Sequence, residues 1–310
     1  MASRKNKGKK QLRITRRNKP YFIGGSGEEK CIFVPLAAGL GNQMYVYAAG
    51  MTAKKKTGLP ICLLPFKTNM HSEKDYSTIL FIQGKPVDYA SVKNRMNVSK
   101  KILEFVRNPH NVWKEENINI NTTKNAILAG GFFQSYKSVS SVLPDIRNDC
   151  EKVFQERYPQ LKADSSAQKQ AASSAEEQID TGSSAFMHVR HGDYGGAALP
   201  LKYYIDGITI LDSVPKIQKI YIVSDDMKWC KEQKWPAKKN IIYFDEPDEL
   251  KTMYLMSLCL AGACISASTF SSWGAMLGAD KVEDSTIIYP LNWITGPSSK
   301  IGFPERWKAI

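Results

Sequence analysis

Three stretches of this sequence carry an apolar run into a cluster of groups able to bind charge or move a proton. Met187-His-Val-Arg-His-Gly-Asp-Tyr gathers His188, Arg190, His191, Asp193 and Tyr194 at the end of the run Ala185–Val189, whose composition predicts a strand. Along a strand, His188 and Arg190 share one face. The planar fork of Arg190 donates two parallel hydrogen bonds and suits a diphosphate; an Arg190–Asp193 ion pair at a strand end is the competing, purely structural role. His188 and Asp193 are the groups here that can accept a proton. Tyr221-Ile-Val-Ser-Asp-Asp-Met delivers Ser224, Asp225 and Asp226 in the same way. Adjacent carboxylates diverge and do not easily share one cation, so no metal site is expected. Asp225 is expected to accept hydrogen bonds from a nucleobase, a ribose or a neighbouring arginine, and Ser and Asp also serve as helix N-caps.

The third stretch is Ser266-Ala-Ser-Thr-Phe-Ser-Ser-Trp-Gly-Ala. A run of hydroxyls opening a helix after a buried strand makes an anion cradle from Ser268, Thr269, Ser271 and Ser272 together with backbone N–H groups. N-capping accounts for one or two of these hydroxyls. A fourth segment, Gly39-Leu-Gly-Asn-Gln-Met, follows the apolar run Cys31–Leu36. Gly39 and Gly41 allow a close backbone approach, and Asn42 and Gln43 add neutral hydrogen-bonding groups. The third spaced glycine of a dinucleotide fingerprint is missing.

These segments need a scaffold that brings strand ends together. Strands are predicted at Cys31–Leu36, Ala185–Val189, Ile217–Val223, Ile241–Phe244, Ala263–Ala267 and Thr286–Tyr289, with a strand and turn over Ala126–Phe133. Helices are predicted from Tyr45, over Val142–Tyr158, Leu201–Leu211, Glu249–Leu260 and Ser272–Leu277. This alternation indicates an α/β fold with parallel sheets flanked by helices. In Glu249–Leu260, Pro247 is placed at the first helical position, and Leu250, Met253, Tyr254, Ser257 and Leu258 form one apolar stripe. Residues 162–182 are rich in Ser, Ala, Gln and Glu, the composition of a linker or insertion. The expected organisation is a basic tail at 1–30, a first domain at 31–161, that linker, and a second domain at 183–310.

Charge is concentrated at one end. The net +13 includes nine Lys/Arg and no acid within residues 1–20, leaving the remainder weakly basic. Such a tail is a solvated arm or a contact for nucleic acid or an anionic surface. The six cysteines show no CxxC spacing and are expected to be reduced, mostly buried thiols. No apolar stretch is long enough to span a bilayer, and Met1–Lys19 lacks the apolar region of a secretory signal. Together these give the expectation of a cytoplasmic protein, in a host cytoplasm if viral. Asn97 and Asn121 begin glycosylation sequons that matter only in a secreted protein.

The segments also occur in a familiar order. Gly-Leu-Gly-Asn-Gln-Met followed by Tyr-x-Tyr-Ala, then Gly130-Gly-Phe-Phe-Gln-Ser-Tyr-Lys, His-x-Arg-x-Gly-Asp-Tyr, Ser224-Asp-Asp-Met-x-Trp-Cys-Lys, Met253-Tyr-Leu-Met-Ser-Leu-Cys and Phe270-Ser-x-Trp-Gly-Ala resemble the α-1,2-fucosyltransferases, glycosyltransferase family 11, over about Ile32–Ile294. The resemblance implies a GT-B-like architecture, two Rossmann-like domains facing across a cleft, with the acceptor on the N-terminal side and the GDP-sugar on the C-terminal side. It implies inverting transfer of L-fucose from GDP-fucose to a glycan hydroxyl, O-2 of galactose, with no cofactor and no metal. Carried over, Arg190 binds the donor diphosphate, Asp225 contacts the guanosine, Ser268, Phe270 and Ser271 line the phosphate site, and Asn42 faces the reacting centre. Gly39, Gly41, His191, Ser224, Thr269 and Ser272 complete the expected donor site. The family's Arg-Arg is Arg190-His191 here, and its Phe-Ser-Trp-Trp is Phe-Ser-Ser-Trp. Two other classes remain open: a catalytically inactive nucleotide-sugar or glycan-binding protein, and a nucleic-acid-associated protein acting through the tail.

Overall fold

Ile32–Leu36 is a run of large apolar residues, and such a run is most stable in the middle of a sheet covered on both faces. It forms β1, fully buried, with β2 (Ile61–Pro65) and β4 (Ala126–Ile127) pairing in parallel on either side and β3 (Lys85–Pro86) beyond β2. The computed structural model describes residues 31–65, 74–88, 126–128, 132–163, 177–192, 198–293, 296–298 and 301–310. The basic tail, both sequons, Gly130, Asp193, Tyr194 and residues 164–176 of the expected linker lie outside them.

The second sheet has the order β14-β11-β10-β7-β8-β9, parallel throughout. Its strands are β7 (Ser184–Val189), β8 (Lys219–Ser224), β9 (Asn240–Tyr243), β10 (Gly262–Cys264), β11 (Thr286–Tyr289) and β14 (Lys308–Ala309). The pairs β5 (Leu161–Ala163)–β6 (Glu177–Ile179) and β12 (Asn292–Trp293)–β13 (Gly296–Pro297) stand apart from both sheets. The ends of the stretch read as a linker are therefore strands paired to each other. Leu161 and Ile179 at its borders are buried in the core, where apolar side chains gain most from leaving water.

Seven α-helices are described: α1 (Leu40–Thr57), α2 (Tyr136–Ser140), α3 (Leu143–Arg157), α4 (Leu201–Ser213), α5 (Met227–Glu232), α6 (Glu249–Leu258) and α7 (Thr269–Leu277). Two parallel sheets flanked by helices and joined across a cleft give the GT-B-type α/β architecture. The halves are welded by one hydrophobic cluster that runs from β1 and α1 through α3 into α6 and α7. At its centre Tyr45 of α1 meets Trp273 of α7 edge-on at 5.3 Å, and the Tyr45 hydroxyl lies 3.2 Å from Ser272 Oγ. A second cluster fills the other face of the larger sheet, against α4. Asp280, its side chain almost fully buried, draws Arg147, Arg306, Tyr136 and the Trp307 indole N–H onto one carboxylate. That arrangement satisfies a buried charge from both halves at once.

Two helices differ from expectation. Residues Leu250 and Thr252–Ser257 of α6 are all buried, because the helix is packed on more than one side and a single stripe does not describe it. Asp248, whose carboxylate accepts from Leu250 N at 3.0 Å, is its N-cap, so Pro247 precedes the helix. Residues 39–43 are no free glycine turn either. The helix α1 begins at Leu40 and takes in Gly41 and Asn42. The bend comes earlier, at Ala38 with φ of 63°, and Gln43 Nε2 fastens it by donating to the Ala38 carbonyl at 2.7 Å.

Candidate active site

Open parallel sheets bind ligands beyond the carboxyl ends of their strands. Here a cleft of about 780 Å³ opens at the ends of β7, β8 and β9 and is closed from the other side by the start of α1. Its walls include Gly39, Gly41, Asn42, His188, Arg190, Ser224, Asp225, Ser268, Thr269 and Phe270. Ten of the residues singled out in the sequence thus come together from segments far apart in the chain.

The start of α1 and the start of α7 meet at the cleft. A Cβ placed on Gly41 would lie 2.4 Å from Phe270 N and 2.5 Å from Thr269 C. Only glycine permits this approach, and it lets two helix N-termini, each a partial positive charge, open onto one space. Asn42 Oδ1 accepts from Gln134 Nε2 at 3.0 Å, which fixes the amide.

Arg190 stands at the exit of β7 with its Nε 3.3 Å from Asp225 Oδ2. Asp225 Oδ1 accepts the His191 N–H at 2.9 Å. Burial alone would raise the Asp225 pKa. The N–H of His191, the Arg190 guanidinium and the N–H of Gly192 outweigh it and hold the carboxyl below its ordinary value. The neighbouring Asp226 turns away. It caps α5 by accepting from Trp229 N at 3.1 Å and faces His191 Nδ1 at 2.9 Å. The two carboxylates diverge, Asp225 towards Arg190 and Asp226 towards His191. Among the described residues no three His, Cys, Asp or Glu side chains gather as a metal site.

His188 is buried and shares a 2.7 Å hydrogen bond with Ser266 Oγ through Nδ1. Burial, with Arg190 close by, pushes its pKa far down, so the ring is neutral at pH 7. Ser266 continues to Ser271, whose hydroxyl lies 3.3 Å away and bonds back to the Ser266 and Ser268 carbonyls.

Three expected donor-site residues sit elsewhere. Ser271 and Ser272 are fully buried behind the helix start, with Ser272 Oγ donating to the Thr269 carbonyl at 2.9 Å. His191 stacks on Trp229 with ring centres 4.4 Å apart. Conversely, sequence reasoning missed Asp245, Glu246, Glu249, Thr252 and Met227, which line the cleft beyond β9. The place of the acids of Asp245–Glu249 directly after a predicted strand was the usable signal. None of the six cysteines is in a disulfide, and five are buried. No helix among the described residues is long and apolar enough to cross a membrane.

Residues 161–308 match the model of glycosyl transferase family 11. The alpha-1,2-colitosyltransferase of Escherichia coli is 25% identical over 298 residues, 89% of this chain and 97% of the relative. The O-antigen biosynthesis glycosyltransferase WbnK of the same organism is 30% identical over 132 residues, 39% of this chain, and the match spans 42% of that relative's length. Among solved structures, the fucosyltransferase NodZ from Bradyrhizobium aligns with a TM-score of 0.43 at 14% identity, covering 81% of this chain and 93% of its own. The E. coli heptosyltransferase WaaC with ADP aligns at 0.47 and 10% identity, covering 90% and 92%. The residues that match glycosyl transferase family 11, 161–308, hold strands β7 to β11, the Arg190–Asp225 pair and the start of α7.

Proposed function

We propose that the chain transfers L-fucose from GDP-fucose to O-2 of a galactose-terminated acceptor, inverting the anomeric centre without a metal. One observation carries the reading: the Arg190 guanidinium and the N-termini of α1 and α7 converge on a single cleft. As the bond from the anomeric carbon to the phosphate oxygen breaks, negative charge gathers on the leaving diphosphate and the sugar takes on oxocarbenium character. Fixed donors aimed at that charge are the strongest catalytic device available to a protein.

The other end of the cleft supports a guanosine donor. Asp245, Glu246 and Glu249 lie there, and guanine presents N1–H and an amino group, donors that suit carboxylates. Glu246 is held by Lys251 at 2.7 Å and Glu249 by the Tyr76 hydroxyl at 2.7 Å; each carboxylate keeps further lone pairs. Because burial disfavours its imidazolium, His188 serves as a neutral hydrogen-bonding group. Asp193, the other proton acceptor of the His188–Tyr194 segment, is the proposed base for the acceptor hydroxyl. The α-1,2 linkage draws support from the colitosyltransferase likeness.

The test is incubation with GDP-fucose and galactose-terminated oligosaccharides in excess chelator, with the product linkage read by NMR. An α-1,2-fucosylated product is expected. Transfer of colitose but not fucose would replace the donor. GDP binding without transfer or hydrolysis would make the chain an inactive binder, and function lost on deleting residues 1–20 would move attention to the tail.

A further inference from the structure

The loop that carries Arg190 is fastened at a second point that the catalytic reading does not use. The His191 ring lies flat on Trp229, centres 4.4 Å apart and planes 17° from parallel, and its Nδ1 is 2.9 Å from Asp226 Oδ2. Trp229 is itself wedged edge-on between Tyr204 and Trp235. Asp226 is the N-cap of α5, bound through its other oxygen to Trp229 N. The backbone N–H of His191 holds Asp225 Oδ1, and Asp225 Oδ2 faces Arg190 Nε. Ring and backbone of one residue therefore tie two consecutive aspartates of the β8–α5 turn to the Arg190 turn.

We infer that His191 is a positioning residue for Arg190, and that its charge sets how firmly Arg190 is held for an anionic ligand. The inference rests on the donor-site reading above in that the ligand is a nucleoside diphosphate. Histidine is the side chain whose charge changes near neutrality. As an imidazolium it makes a charge-assisted bond to Asp226, about twice as strong as the bond of the neutral ring. Among the described residues, the charged groups around it are Asp226 and Asp225 on the β8–α5 turn and Arg190 on its own turn; Trp229, Tyr204 and Trp235 form the uncharged wall. The His191 bond is the leading cause that holds the Asp226 carboxyl below its ordinary value. The clamp is tighter with the ring as an imidazolium than with the ring neutral.

Two measurements on the full chain test this. In the free protein, 15N NMR follows the Arg190 Nε signal against the His191 ring signal from pH 5.5 to 8.5. The two are expected to move together in wild type, and the Arg190 signal is expected to stay still in His191→Arg and His191→Gln. Calorimetry then gives the Kd for GDP over the same range. It is expected to weaken about three- to fivefold with rising pH in wild type. His191→Arg, which keeps a charge that can pair with Asp226 and stack on Trp229, should stay tight throughout, and His191→Gln should stay weak throughout. If the Arg190 signal ignores His191, or if His191→Gln keeps the wild-type pH dependence, the inference is overturned. Absence of any GDP binding by wild type would overturn the donor reading instead, and the NMR comparison would still decide whether the clamp exists.

Discussion

Arg190 Nε lies 3.3 Å from Asp225 Oδ2, while the other oxygen of Asp225 is occupied by the His191 N–H. The carboxylate thus orients the guanidinium without sealing it, since both side chains keep about a quarter of their surface and both line the cleft. Arg190→Ala should lower kcat/KM for transfer by about a hundredfold or more, the usual loss for a removed preorganised donor. The melting temperature should move little, because Asp225 keeps its backbone partners and partly exposed pairs contribute about 1 kcal/mol or less. Asp225→Asn should raise the donor KM more than it lowers kcat. Near wild-type turnover by Arg190→Ala would remove Arg190 from the site.

Gly41 and Gly39 separate a steric requirement from a sequence habit. A methyl on Gly41 would strike backbone atoms of Phe270 and Thr269 at 2.4–2.5 Å, whereas one on Gly39 meets nothing within 4 Å. In an ordinary helix Gly→Ala gains about 1 kcal/mol. At Gly41 that gain is outweighed by overpacking of about 1–3 kcal/mol or more, and α1 must back away from α7. Urea unfolding should show a clear loss for Gly41→Ala, accompanied by weaker GDP binding. Gly39→Ala should be close to neutral, the lost preference for glycine at an N-cap offsetting the reduced entropy of the unfolded chain. Equal behaviour of the two variants would contradict the convergence of the helix starts.

Those two glycines also show what the sequence made legible. Strands β1, β7, β8 and β11 and helix α4 follow from apolar runs, whose burial is dictated locally, and most chemically unusual residues at their ends did meet in the cleft. What could not be read was how hydroxyls and charges would be divided among partners. Ser271 and Ser272 look like Ser268 in sequence, yet helical periodicity turns them inward to carbonyls and to Tyr45. Asp225 and Asp226 are adjacent and identical, and only the start of α5 sends one to Arg190 and the other to His191. Glu249 reaches the cleft because Tyr76, far away in the chain, holds it there. Each outcome is set by tertiary contact, and local patterning carries no trace of it.

His188 supplies a pH signature that does not depend on catalysis. An unfolded histidine takes up its proton near 6.5, whereas burial first, and Arg190 second, delay this in the folded protein to about 3. Across that window the unfolded chain binds more protons than the native one. Stability conferred by the neutral ring is therefore complete above about pH 6.5 and is lost as pH falls towards 3, with a slope approaching 1.4 kcal/mol per pH unit for one proton, as an order-of-magnitude figure. Other groups titrate over the same range, so the informative quantity is the difference from His188→Gln, which can still bond to Ser266 but cannot be protonated. Wild type should lose unfolding free energy relative to His188→Gln between pH 6 and 4, and the two should run parallel above pH 7. Parallel curves over the whole range would mean that the ring is solvated and titrates alike in the folded and unfolded states, and it would then return as a candidate for the base that deprotonates the acceptor.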